Sequence, residues 1–402
     1  MVDSDLGGVV EKESGMGVSR FWRRGGYAAV AAAAVLATAG CNDGTAQTHA
    51  SAPPTQVSDA LDLLVRSGLP GAQVVLSGPD GQKTATAGSG NLATGAPYAD
   101  NAHIRIGSVT KTFVATVVLQ LAGEGTVDLE APIERYLPGV VQGNGNDGNR
   151  ITVHQLLQHT SGLADFAPED VTQKLPQQLD QTTDGKAYRD YTPEDEVRIA
   201  LSIPPQFEPG AEFRYTNTNY VLLGMMIERL TGHSLADTIS TRILEPLGMR
   251  DTYYPVAGDT ALRDPHPLGY RKVGDAWVDA TDTEVAWTGA AGAIVSTGSD
   301  LNRFVTALVT GKLLPAAQLA QMRQTIPMPP VAGMNYGLGL IRFQVPCDGQ
   351  TKEVWGHSGG IPGFSTLAIA TDKGTAATVS INTLETNDQF ATAFTTIACA
   401  IA

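Results

Sequence analysis

Cysteine is nearly absent. The 402 residues hold three, Cys41, Cys347 and Cys399, which excludes a disulfide-dense small scaffold or a cysteine-rich metal module. Positive charge is short as well. Lys and Arg number 27 against 41 Asp and Glu, a formal net charge of −14, and that balance argues against nucleic acid as a partner and against polybasic attachment to anionic lipid. Because Lys12, Arg20, Arg23 and Arg24 offset Asp3, Asp5, Glu11 and Glu13, the deficit belongs entirely to the chain after residue 41. Histidine is sparse, and its seven copies show no ligand-like spacing with Asp, Glu or Cys, so no metal is indicated. No internal repeat is present.

What is there first is an export-like N-terminus. Arg20, Arg23 and Arg24 precede an apolar run from Tyr27 to Ala39 that is too short to span a bilayer comfortably. Two cleavage readings compete. Ala37-Thr38-Ala39 fits an ordinary signal-peptide site, whereas Thr38-Ala39-Gly40-Cys41 resembles a lipoprotein box with Thr38 in place of the usual aliphatic residue. In an oxidising compartment Cys347 and Cys399 can pair, leaving Cys41 as the odd thiol, and an odd cysteine here favours lipidation. The expectation is therefore an exported envelope lipoprotein or a secreted protein, with residues 1–41 as export signal and the Gly/Thr/Ala/Ser/Pro-rich 42–55 as a tether.

The chain is 42% hydrophobic, and its body, 56–402, is long enough for one large core or two abutting ones. Helical spacing marks Gln56–Ser67, and Gly71–Ser77 with Lys83–Gly88 reads as a hairpin about the Gly78-Pro79-Asp80-Gly81 turn. Residues 121–294 read as helical and loop-rich, with candidates at Val153–Gln158, Pro193–Leu201 and Asn219–Leu230, scarce strand patterns, and a long connection, Ala164–Thr192, of the kind that lines clefts. Strand patterns return at Tyr336–Val345, Thr351–Trp355, Phe364–Ala370 and Ala376–Ile381, followed by a helix Asp388–Ile401. The β segments from both ends can share one helix-covered sheet, an α+β arrangement of a sheet lobe (about 56–120 and 295–402) and a helical lobe (about 121–294).

Three motifs carry chemistry. Ser108-Val109-Thr110-Lys111 sits at the entry to a helix, so Lys111, one turn along, can reach the Ser108 hydroxyl and activate it. Tyr215-Thr216-Asn217 places a phenol and an amide on the same side of an extended segment, as second proton carrier and amide binder. His357-Ser358-Gly359-Gly360 joins two apparent strands, where small residues let an extended substrate lie close.

In this order and spacing the three motifs resemble those of the serine β-lactamase and penicillin-binding family, closest to its D-alanyl-D-alanine carboxypeptidase branch. Also similar are His159-Thr160-Ser161-Gly162-Leu163, Pro246-Leu247-Gly248-Met249, and Trp287 ahead of Ala290–Thr297. The resemblance implies a β-lactamase/transpeptidase-like fold, an antiparallel sheet flanked by helices plus a mainly helical lobe. It implies a nucleophilic Ser108, proton transfer shared by Lys111 and Tyr215 with the base unassigned, and an oxyanion hole from the Ser108 and Gly360 N–H groups. It implies substrate contacts from Asn217, His357, Ser358 and Gly359, with Trp287 as a wall. Carboxypeptidases of this branch carry an arginine directly after Tyr-Gly-x-Gly-Leu. Here Ile341 takes that position and Arg342 follows, and a one-residue shift along a strand turns a side chain to the other face.

The expected activity is a D-Ala-D-Ala carboxypeptidase acting through acyl-Ser108 on peptidoglycan stem peptides, monomeric, with β-lactams as inhibitors or substrates. The alternatives of the same fold are β-lactamase, esterase and D-stereospecific aminopeptidase. A different class, a non-catalytic penicillin- or peptidoglycan-binding lipoprotein, is disfavoured by intact Ser108, Lys111 and Tyr215.

Overall fold

The computed structural model describes residues 53–167, 191–256 and 258–402. The expected export signal, Cys41, most of the expected tether and most of the 164–192 connection lie outside the described residues. Helix α1 (Thr55–Arg66) leads into strands β1 (Gly71–Gly78) and β2 (Gly81–Gly88). Helices α2 (Thr110–Gly123), α3 (Val153–Leu157), α4 (Pro193–Leu201), α5 (Asn217–Thr231) and α6 (Gly298–Val309) occupy the middle. Strands β3 (Ile326–Pro327), β4 (Met334–Tyr336), β5 (Ile341–Cys347), β6 (Gln350–Ile361), β7 (Phe364–Ala370) and β8 (Ala376–Ile381) precede α7 (Asp388–Ile401).

These strands form one eight-stranded antiparallel sheet in the order β2-β1-β8-β7-β6-β5-β4-β3. Both ends of the chain thus build the same sheet, as the sequence pattern anticipates. One face is covered by α1 and α7. Val57, Leu61 and Leu64 of α1 and Ile397 of α7 are fully buried there against Val74, Ile369 and Ile381, each such side chain contributing roughly 1.5–3 kcal/mol of burial free energy. Cys347 at the end of β5 is bonded to Cys399 in α7, with Cα atoms 5.5 Å apart, so the last helix is fastened to the sheet.

The other face and the helical lobe share a second core. Helix α2 is apolar nearly all round, as a central helix must be. Eleven of its residues are buried, Lys111 among them, and its Phe113 ring stacks on Phe304 of α6 at 3.7 Å. The sheet-lobe boundary read at residue 120 therefore cuts through a helix whose packing belongs to both lobes.

Three expectations need correction. Tyr336–Val345 is not one strand, because Gly337–Leu340 breaks it into β4 and β5, with Gly339 at φ +71°. A Cβ at Gly339 would collide with Ala115 of α2 and lie 2.7 Å from the Tyr220 hydroxyl, so the break lets the sheet meet α2. The third motif is not a connector. It lies inside β6, where His357–Ile361 pair with Phe364–Ala368 of β7 while β5 ends its pairing at Gly356. Strands are scarce in the helical stretch, as expected, and Tyr270–Val273 with Ala276–Asp279 make a two-stranded hairpin there. Their exposed Val273 and Val278 lack the alternating burial that gives a strand its signature. Finally, α5 begins at Asn217, two residues earlier than its apolar periodicity suggests.

Candidate active site

Ser108 occupies a tight 3-10 turn, Gly107–Val109, that runs straight into α2. Its hydroxyl makes no capping bond to the helix and instead faces Lys111 Nζ at 3.1 Å. Gly107 needs its φ of +51°, and a Cβ there would lie 2.9 Å from the Gly360 nitrogen. Gly359 is equally constrained: a Cβ would overlap the Ile106 carbonyl oxygen and lie 2.9 Å from the Ser108 nitrogen. Two glycine-bearing backbones therefore meet face to face, with the unpaired edge of β6 running past the nucleophile.

Lys111 is fully buried yet satisfied. Its ammonium donates to Asn217 Oδ1 at 2.8 Å and to the Ala291 carbonyl at 2.8 Å, with Ser108 Oγ as the third neighbour. Burial lowers its pKa from the ordinary lysine range to about 7, against the raising pull of Asp165. With two fixed acceptors, a neutral amine keeps two protons on Asn217 and Ala291 and aims its lone pair at Ser108. That is the geometry of a general base.

Tyr215 lies in extended chain just before α5, with its ring centroid 4.9 Å from Lys111 Nζ. Burial raises its phenol above the ordinary tyrosine range, with Ser108 pulling the other way. No bond of full hydrogen-bond geometry joins the two hydroxyls, and the Tyr215 hydroxyl is buried without a partner among the described residues. A phenol in this state keeps its proton at neutral pH and is fitted to donate it.

Asn217 is the first residue of α5, and its backbone N–H and side-chain Nδ2 both donate to Asp165 Oδ2, at 3.0 and 3.1 Å. Asp165 thus caps the positive end of α5 from a neighbouring loop, a role Thr216 leaves open. Desolvation raises the Asp165 carboxyl, opposed first by the Asn217 N–H. Ser108, Lys111, Asn217 and Asp165 therefore form one connected polar line.

His357 is placed differently from the expectation. It is buried, 2% exposed, with Nε2 on the Tyr336 hydroxyl at 3.1 Å and Nδ1 on the Ser358 carbonyl at 2.5 Å. Both ring nitrogens are committed within the protein, so it does not hydrogen-bond substrate directly. Burial lowers it to about 3, opposed by the Ser358 carbonyl. Ser358 and Gly359 are half-exposed along β6. Trp287 is buried, donates its indole N–H to the Glu284 carbonyl at 3.0 Å and meets Phe166 edge-on at 6.2 Å. Arg342 lies opposite Trp355 and pairs with Glu353 at 3.6 Å.

Several participants carried no chemical signal in the sequence. Asp165 stands at the start of a long connection, and the Ala291 carbonyl is backbone. His159 and Tyr336 read only as framework, although their positions inside quoted family stretches offered the one available hint.

Residues 55–402 match the family described as Beta-lactamase, and the chain belongs to that family, the serine hydrolases of the β-lactamase and penicillin-binding-protein fold. Among solved structures it is similar to a D-stereospecific amidohydrolase from Streptomyces sp., with 36% identity and TM-score 0.75 over 85% of this chain and 98% of that one. It is also similar to the D-amino acid amidase of Ochrobactrum anthropi SV3, with 27% identity and TM-score 0.72 over 86% of this chain and 98% of that one. Among curated proteins it is 36% identical to esterase EstB of Burkholderia gladioli over 41% of each chain. It is 29% identical to penicillin-binding protein 4* of Bacillus subtilis over 68% of this chain and 59% of that one. The match spans about two-fifths to three-fifths of these curated relatives' lengths.

Proposed function

We propose that this protein hydrolyses amides or esters of D-amino acyl groups through an acyl-Ser108 intermediate. Lys111 as neutral amine takes the Ser108 proton, and the Ser108 oxygen attacks the carbonyl. The oxyanion sits against the Ser108 and Gly360 N–H groups, a kind of stabilisation usually worth roughly 3–4 kcal/mol per donor. Tyr215 supplies the proton that the leaving amine or alcohol takes with it. Water then attacks the acyl-enzyme by the same steps in reverse. The carrying observation is the Lys111 environment, two fixed acceptors with the third direction aimed at Ser108. Similarity to a D-stereospecific amidohydrolase and a D-amino acid amidase supports the substrate class.

A D-Ala-D-Ala carboxypeptidase is the second reading, favoured by the likeness to penicillin-binding protein 4*. It needs a cation for the terminal carboxylate, and the Arg342–Glu353 pair speaks against Arg342 in that role. The same proposal carries export and lipidation of Cys41. The test is a panel of D- and L-phenylalanine amide, a short D-amino acyl ester, and an acyl-D-Ala-D-Ala peptide with free or amidated C-terminus. The proposal expects D over L preference and turnover of the amidated peptide at least equal to the free acid. Turnover of the free acid alone would overturn it in favour of the carboxypeptidase.

A further inference from the structure

Behind Tyr215 the two lobes are joined by a hydrogen-bond chain whose direction the geometry fixes. The Thr216 backbone N–H can only donate, and it points at His159 Nδ1 from 3.3 Å. The Asn219 side-chain amide meets the same nitrogen at 3.2 Å. Which end of that amide faces His159 is also settled. Because the Thr216 N–H already makes that nitrogen an acceptor, Asn219 presents its NH₂ to the ring, which leaves Oδ1 to accept from Ser161 Oγ at 2.6 Å. His159 Nδ1 is therefore an acceptor, and the neutral ring carries its proton on Nε2. Nε2 faces the Tyr336 hydroxyl at 3.2 Å, and that hydroxyl faces His357 Nε2 at 3.1 Å. Tyr220 also lies against that phenol and gives its own proton to the Leu157 carbonyl at 3.0 Å. Because a carbonyl beside His357 Nδ1 demands a proton there, His357 Nε2 is an acceptor, and the phenol accepts from His159 and donates to His357. The His357 proton is left on Nδ1, where the Ser358 carbonyl waits at 2.5 Å.

His159 is held for this purpose in a conformation few non-glycine residues adopt, φ +60°. The surroundings enforce it, since its N–H donates to the Leu156 carbonyl and its carbonyl accepts the Arg214 N–H. Its ring also lies against Tyr215, centroids 4.2 Å apart.

We propose that His159 and Tyr336 are positioning residues for acyl transfer: they lock His357 as the Nδ1–H tautomer, whose N–H pins the Ser358 carbonyl and so orients the backbone leading to Gly360. The kinetic part of this inference rests on the acyl-Ser108 reading; the tautomer part does not.

The test is a long-range proton–nitrogen correlation spectrum of the ¹⁵N-histidine-labelled protein near neutral pH, with signals assigned by His159→Gln and His357→Gln. The expected result is His159 protonated on Nε2 and His357 on Nδ1. In Tyr336→Phe the His357 signal should move toward the Nε2–H or mixed form, with kcat falling about 10- to 100-fold and KM nearly unchanged. Wild-type His357 protonated on Nε2, or a Tyr336→Phe variant with unaltered tautomers and kcat, overturns the proposal. Should Tyr336→Phe not fold, the wild-type tautomers decide alone. Failure of the hydrolase reading would show separately, as absent turnover with the tautomers intact.

Discussion

Asp165→Asn probes the electrostatics of the base. An ordinary lysine has a pKa near 10.5, and the buried Lys111 sits at about 7, so its ratio of free base to ammonium at pH 7 is larger by roughly 3,000-fold. If the free base accepts the Ser108 proton, kcat/KM rises with pH through an inflection near 7 and falls about tenfold per unit well below it. Asp165 opposes the lowering, acting through Asn217, which touches both groups. Two charges separated by one amide, roughly 7 Å, interact by roughly 1–2 kcal/mol at effective dielectric constants of about 20–40, or about one pH unit. Asparagine keeps an oxygen to accept from Asn217 but removes the charge. The variant should therefore move the acid inflection down by about one unit, read from kcat/KM on a D-amino acyl ester between pH 5 and 9. An unmoved or upward-moved inflection would refute Lys111 as the group that titrates.

Lys111→Arg keeps the charge but not the ability to release a proton, so kcat/KM should fall by about 10²–10⁴ on the same ester while the far-ultraviolet dichroism is retained. Glu196 in α4 is 2% exposed, and burial, reinforced by Asp165, raises its carboxyl to about 9. The unfolded chain gives up this proton near pH 4.5 and the folded one does not, so wild-type stability drains away as pH rises from 4.5 to about 9, at most about 1.4 kcal/mol per unit. Glu196→Gln should be the more stable protein at pH 8 in urea titrations, with the difference vanishing near pH 4.5. Opening the Cys347–Cys399 bond, which spans 52 residues, should cost about 3–4 kcal/mol in the chain-entropy model. Comparing the urea midpoint of Cys399→Ser with that of the oxidised protein checks it.

The sheet and its covering helices were legible because their apolar positions alternate or recur within short windows, as in Ala376–Ile381 and α1. The nucleophile and its lysine were legible because one helical turn places them together whatever the rest of the chain does. Asn217 joins them only through the tertiary fold, 106 residues away from Lys111. His357 was misread for a physical reason. Glycines on both sides suggested a connector, whereas Gly356 serves close approach to the Ala368 backbone of β7 and Gly359 to Ile106 and Ser108, and strand alternation says nothing of which ring nitrogens are already taken. His159, Tyr336 and Asp165 each act through partners at least 21 residues distant, beyond any local pattern.

Intact-protein mass after brief exposure to a D-amino acyl ester and, separately, to a penicillin tests the central claim most directly, comparing wild type with Ser108→Ala. The account predicts an acyl adduct or turnover on wild type and neither on Ser108→Ala, with any adduct mapping to the peptide that contains Ser108. An adduct of the same mass on Ser108→Ala, or undiminished turnover by that variant, would contradict it.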